Sequence, residues 1–307
     1  MTTTEIPETA PDWVVLGDSL TVEAHYALSA PDGGGPEHAS RCYAQAIEAF
    51  IRAREKGSSE PDLWIRAASC LYALSSMDRT RTEPVGRVIL AGLEGNPKRA
   101  GGDDNYWQIL AGVAAMLARA SDDAKERHAL IARAKAALNH ARDSQSGEVF
   151  HPDILLDLLT LEGETARSAD ERAKKYQEAD SLYDAFKSMI DPADPIQAQQ
   201  FHYVWASSFM DRADVETDEG ARRLWLAKAS TALDEGWGRP WPGMIRARMA
   251  ALMGDAAGFA RALDAVGEEF CDRTAVLRAA AEIFARDESA RGLWGDPLLK
   301  AVLNRRV

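Results

Sequence analysis

Apolar residues recur along this chain at intervals of three and four, the period of one face of an α-helix. The pattern is sharpest between Tyr43 and Trp64. There Ala46, Phe50 and Ala53 share a face, Gly57-Ser58-Ser59 interrupts it, and Pro61 opens a second helix. In that helix Trp64 is followed by Ala67, Ala68 and Leu71 at the same spacings. The motif returns as Trp107 with Leu110, Ala111 and Ala114. It recurs again as Ala134, Leu138 and Ala141, then as Phe259, Leu263 and Val266. Polar breaks fall between these segments: Ala30 to Pro36, Asp78 to Glu83, Gly95-Asn96-Pro97, Asp191-Pro192 and Trp237 to Trp241. No segment alternates apolar and polar residues over the length of a strand. The pattern predicts an all-α chain of about 13 or 14 helices, paired antiparallel through short loops. The helices predicted along it include one from Trp13 capped by Asp12, one opened by Pro84, and two last ones over Arg273–Arg286 and Pro297–Asn304.

Those residues carry a resemblance. Trp64, Ala67, Ala68 and Leu71, with Ala46, Phe50, Ala53 and the Pro ahead of the next unit, resemble the two halves of the tetratricopeptide signature. Phe50 and Trp64 are 14 residues apart, the separation expected for such units. Trp13, Leu16, Gly17 and Leu20 match the first half at all four positions, and residues 293–306 are similar to the closing segment of some bacterial tetratricopeptide arrays. The resemblance implies a right-handed α-solenoid of about six antiparallel helix hairpins with C-terminal capping helices. The expected layout is a disordered acidic tail over 1–11 and one solenoid domain over 12–306, with its capping segment at 273–306. The anchors Trp13, Trp64, Trp107, Leu155 and Tyr203 lie 43 to 51 residues apart, not 34, so loops or helices have grown. A HEAT-like or irregular array, with repeats of about 40–47 residues, is the other reading of that spacing.

Charge narrows the partners. With 48 acidic and 36 basic residues the formal net charge is −12, which argues against nucleic acid or an anionic membrane. Cys42, Cys70 and Cys271 are too few and too scattered for a disulfide framework. The N-terminus has neither the basic nor the apolar region of a secretory signal, and the longest apolar run is too short for a bilayer. A cytoplasmic location is expected.

Candidate chemistry is thin. Gly17-Asp18-Ser19-Leu20 resembles the nucleophile block of GDSL-type serine hydrolases, which would make Ser19 the nucleophile. None of the six His has the Asp three residues before it that such enzymes pair with the nucleophile. The same letters fit a Trp-x-x-Leu-Gly helix. No His-Glu-x-x-His, cysteine-pair or phosphate-loop spacing occurs, so neither a metal nor another cofactor is expected, and no catalytic residue. The leading expectation is a non-enzymatic scaffold or adaptor that binds a partner protein or peptide in a concave groove. The alternative is a regulatory or inhibitory subunit of an effector enzyme, a protease or nuclease. By the resemblance, groove positions are Asp62, Ser69, Tyr72, Asn105, Gln108, Phe201, Asp211, Arg212, Trp241 and Arg248. Their mixed, early-acidic character points to a basic or amphipathic segment as ligand.

Overall fold

The computed structural model describes residues 8–29, 35–60, 62–75, 79–95, 104–144, 152–188, 190, 195–270, 279–280, 283–284, 287, 289–293 and 295–304. Among them the regular elements are α-helices and one 3₁₀ turn, with no strand. The chain divides into two compact units, residues 1–151 and 152–307.

The first unit holds α1 (Ala10–Ser29), α2 (Gly35–Glu55), α3 (Leu63–Ser75), α4 (Arg79–Glu94), α5 (Asp104–Ala120) and α6 (Ala124–Ser144). Its hairpins are α1 with α2, α3 with α4, and α5 with α6, and each touches the next through α2–α3, α4–α5 and α3–α5. The second unit holds α7 (Pro152–Glu164), α8 (Ala169–Lys187), α9 (Pro195–Val215), α10 (Glu219–Trp237), α11 (Gly243–Leu252) and α12 (Ala256–Phe270). It ends in a 3₁₀ turn (Ser289–Leu293) and α13 (Pro297–Asn304). Here α7 pairs with α8, α9 with α10 and α11 with α12, while α7 and α11 both touch α9 and α13 packs on α12. Most of the expected Arg273–Arg286 helix lies outside the described residues.

Helix ends follow local chemistry. The first helix starts at Ala10 rather than Trp13 because Thr9 and Asp12 cap it: the Thr9 N–H and hydroxyl both donate to the Asp12 carboxylate, at 3.2 and 2.5 Å. Ser168, Asp218 and Asp255 accept backbone N–H groups at the starts of α8, α10 and α12. Gly57, at φ +88°, closes α2 with its own N–H on the Arg54 carbonyl and the Ser58 N–H on that of Ala53. Pro84 does not open α4. It is the sixth residue of a helix that begins at Arg79, past the four N–H groups that lack an intrahelical partner, so its missing donor leaves the carbonyl of Thr80, four residues earlier, without its helical bond.

The spaced apolar residues are the core. Ala46, Phe50, Ala53, Ala67, Ala68, Leu71, Leu110, Ala111, Ala114, Ala134, Leu138 and Ala141 are all buried. Phe259, Leu263 and Val266 join Ile283, Leu299 and Val302 in one cluster of the second unit. Across the hairpins, rings settle on glycines. A Cβ on Gly17 would collide with the Phe50 ring, one on Gly92 with Trp64, and one on Gly163 with Tyr176. The same close approach joins neighbouring hairpins, where a Cβ on Gly112 would overlap the Tyr72 hydroxyl. Among the described residues no helix is long and apolar enough to cross a membrane.

Candidate partner-binding groove

The expected groove residues scatter. Asp62 is half-buried just ahead of α3, its carbonyl accepting from the Arg66 N–H at 2.8 Å. Ser69 is exposed on α3, its hydroxyl turned back to the Ile65 carbonyl at 3.0 Å. Tyr72 is partly exposed, but its hydroxyl donates to the Ile109 carbonyl at 3.1 Å, joining α3 to α5. Asn105 lies in the first turn of α5, with its side chain outside the described residues. Gln108 is buried. In the second unit Phe201 stacks on Tyr183 with ring centroids 5.3 Å apart.

Three charged residues expected on an open groove are internal instead. Arg212 is fully buried; its Nη1 donates to Asp180 at 2.6 Å, and its guanidinium lies 4.6 to 5.6 Å from the rings of Tyr176, Phe209, Trp225 and Trp205. Such ring faces replace some of the hydration that the cation gives up. Arg248 is buried between Asp211 on α9 and Asp287 beyond α12, donating to them at 2.5 and 2.8 Å and to the Ser207 hydroxyl at 3.0 Å. Burial works against its charge, yet the two carboxylates raise its pKa well above the ordinary arginine value.

For Asp211 and Arg212 the physical reason is a register shift of two in α9, whereas Arg248, on α11, is drawn inward by its buried carboxylate partners. Tyr203, taken as the anchor of α9, is exposed, whereas Trp205 is buried with Ala206, Phe209, Met210 and Ala213 in one core cluster. Positions counted from Tyr203 therefore turn inward. Trp205 also stacks flat on Tyr183, centroids 4.1 Å apart.

Among the expected residues, Trp241 borders a large cavity. The α10 helix ends at Trp237, and Gly238, at φ +66°, sends the chain back. The Arg239 guanidinium then grips both oxygens of Asp234 at 2.9 and 3.1 Å, and the Trp241 indole N–H donates to the same carboxylate at 2.9 Å. The bond from Arg239, aided by that from Trp241, holds the Asp234 carboxyl below its ordinary pKa. Arg239 also lies 5.1 Å from the centroid of the Trp241 ring.

This turn closes one side of a groove of about 920 Å³ between α10 and α11. Leu226, Met249 and Leu252 form its floor; Arg222, Arg223, Arg239 and Glu219 form its polar margin. With Asp234, which Arg239 grips, counted beside Glu219, the margin carries three positive groups and two negative, a net +1, on a chain whose total is −12. Arg222 is fixed in place by donating to the Leu252 carbonyl at 2.7 Å, while Arg223 is largely exposed beside Glu219. Met253, 65% exposed, extends the apolar surface at the mouth. A smaller cavity of about 410 Å³ lies among Tyr183, Lys187, Phe209, Lys228 and Glu235.

Comparison with family models, with curated proteins and with solved structures yields no match to this chain. The arginines of the groove carry no sequence signal, because along α10 they read as ordinary solvated helix positions. Only the return of the chain at Gly238 sets Arg239 and Trp241 beside them. At the hydrolase-like block, Val14, Val15 and Leu16 are helical. Ser19 sits on the exposed side of α1, its hydroxyl donating to the Val15 carbonyl at 2.8 Å, so the strand-to-turn setting of such a nucleophile is missing.

Proposed function

We propose that this chain is a non-enzymatic binding scaffold of tetratricopeptide-like hairpins stacked as a right-handed solenoid, and that the α10–α11 groove holds an amphipathic segment of a partner protein bearing acidic side chains. Support for the stacking comes from first helices of successive hairpins touching one another, α3 with α5, α7 with α9 and α9 with α11. The observation that carries the binding assignment is the groove itself: an apolar floor, an aromatic residue at the margin and a local excess of arginine on an acidic protein. Apolar residues of a helix would fill the floor, and carboxylates on its flanks would meet the arginine fork. Acidic rather than basic peptides are favoured, which reverses the ligand charge inferred from the dispersed positions.

The test is fluorescence anisotropy with a labelled amphipathic helix carrying Leu on one face and Glu on its flanks. Binding should weaken with added salt. Trp241→Ala should cost about 2 kcal/mol, or roughly 30-fold in Kd, if it acts as an aromatic anchor, and Arg223→Glu should weaken binding further. Equal affinity for a Lys-flanked peptide, or unchanged affinity in both variants, would remove the assignment.

A further inference from the structure

Away from that groove, three side chains with metal-ligand chemistry converge on the first hairpin. His38 and Cys42 are four residues apart on α2 and so share one helix face, while Glu23 reaches them from α1. The Nε2 atom of His38 is 2.9 Å from Oε1 of Glu23 and 3.7 Å from Sγ of Cys42, and the three donor atoms lie within 4.8 Å of one another. With zinc bonds of about 2.0 Å to nitrogen and about 2.3 Å to sulfur, a tetrahedral ion sets its nitrogen and sulfur ligands about 3.5 Å apart. The His38–Cys42 separation is close to that, and the His38–Glu23 pair has only to open by a few tenths of an ångström.

We infer that Glu23, His38 and Cys42 form a zinc-binding site that clips α1 to α2. The donor set, one thiolate, one imidazole and one carboxylate, suits a borderline ion such as Zn²⁺ rather than a hard ion such as Mg²⁺ or Ca²⁺. Cys42 is buried at the base of the site, whereas His38 is 32% and Glu23 53% exposed at their side chains, so the ion has a path in and water can complete the fourth position. Binding replaces the thiol proton and the His38–Glu23 hydrogen bond by three metal bonds: the thiol proton goes to solvent, and Nε2 gives up the proton it shares with Glu23 as the imidazole takes its Nδ1–H tautomer. The competing description is an ion pair on the surface with a packed thiol below it, and it makes a different prediction.

Cobalt distinguishes the two. Titrating the full chain with Co²⁺ should produce a thiolate-to-metal absorption band that saturates at one equivalent and is bleached by Zn²⁺. Cys42→Ser should abolish the band, and Cys70→Ser should keep it. His38→Ala and Glu23→Gln alter solvent-accessible side chains and should leave the helices intact by circular dichroism. Each should weaken zinc binding by at least the roughly 10- to 100-fold seen when outer partners of metal ligands are lost. Zinc should raise the melting temperature of the wild type in a concentration-dependent way and leave that of His38→Ala unmoved. Absence of a cobalt band in the wild type, a band that survives Cys42→Ser, or unchanged zinc affinity in both surface variants would overturn the site.

Discussion

His202 illustrates how a single buried side chain ties stability to pH. Burial drives its pKa below the ordinary histidine value, outweighing the nearby Glu235 carboxylate, and Lys187 pushes the same way as burial. Its Nδ1 is 3.7 Å from Glu235, too far for a hydrogen bond, and has no hydrogen-bond partner. The folded protein therefore holds this ring neutral after the unfolded chain has begun to take up a proton. As pH falls through about 6.5 the unfolded state binds more protons, so stability is lost in that window and levels off below the folded pKa. Urea unfolding from pH 8 to pH 5 should show this loss, and His202→Gln should remove its share. An identical pH profile in the variant would contradict the assignment. Arg212 makes a complementary point: its flat guanidinium is surrounded by rings and tied to Asp180, a setting that the point charge of Lys does not reproduce.

At the scale of the helix, the recurring device is a ring laid on a glycine. Because Trp64 occupies the space where a Cβ of Gly92 would be, α3 and α4 approach more closely than any side-chain-bearing residue permits. Gly92→Ala should cost about 1–3 kcal/mol through overpacking, despite the better helix propensity of Ala. A melting curve equal to or above wild type would refute it. These helices were legible before any coordinates. The three-and-four spacing of Ala46, Phe50 and Ala53, or of Leu110, Ala111 and Ala114, locates buried faces because burial on a helix has that period. The start at Pro297 and the break at Gly57 also follow from backbone chemistry alone. Less was legible where two registers compete. In α9 both Tyr203 and Trp205 offer an aromatic anchor, and the choice depends on Tyr183 of α8, which stacks on Trp205 and is 22 residues earlier. The groove was less legible still, since Arg222 and Met249 come together only through the pairing of hairpins, and residue spacing carries no such information.

For the whole molecule, the second unit depends on a bond between distant parts of the chain. Arg248 on α11 is neutralised by Asp211, 37 residues before it, and by Asp287, 39 residues after it. Asp287→Ala leaves Arg248 paired with Asp211 but takes away the acceptor of its Nε–H at 2.9 Å, and a buried donor left without an acceptor costs about 1–3 kcal/mol. Asp287→Ala should therefore lower the melting temperature by several degrees, and the loss should be seen in the tryptophan signal of Trp205 and Trp225, which belong to this unit. A variant that melts with the wild type would show that Arg248 is satisfied without it.

That arrangement also sets an order of events at the ribosome. Synthesis runs from the N-terminus, so α9 and α11 are made while Asp287 is still untranslated or held within the exit tunnel. Until it emerges, Arg248 has only Asp211 and Ser207 for company, and in the dry site it occupies in the finished protein its Nε–H would face no acceptor. The nascent second unit has reason to keep α11 loosely docked, and to consolidate only when the stretch carrying Asp287 arrives. A ribosome stalled a few residues before Asp287 clears the tunnel should hold a chain in which Arg248 is still open to proteases, and one stalled a few residues later should not.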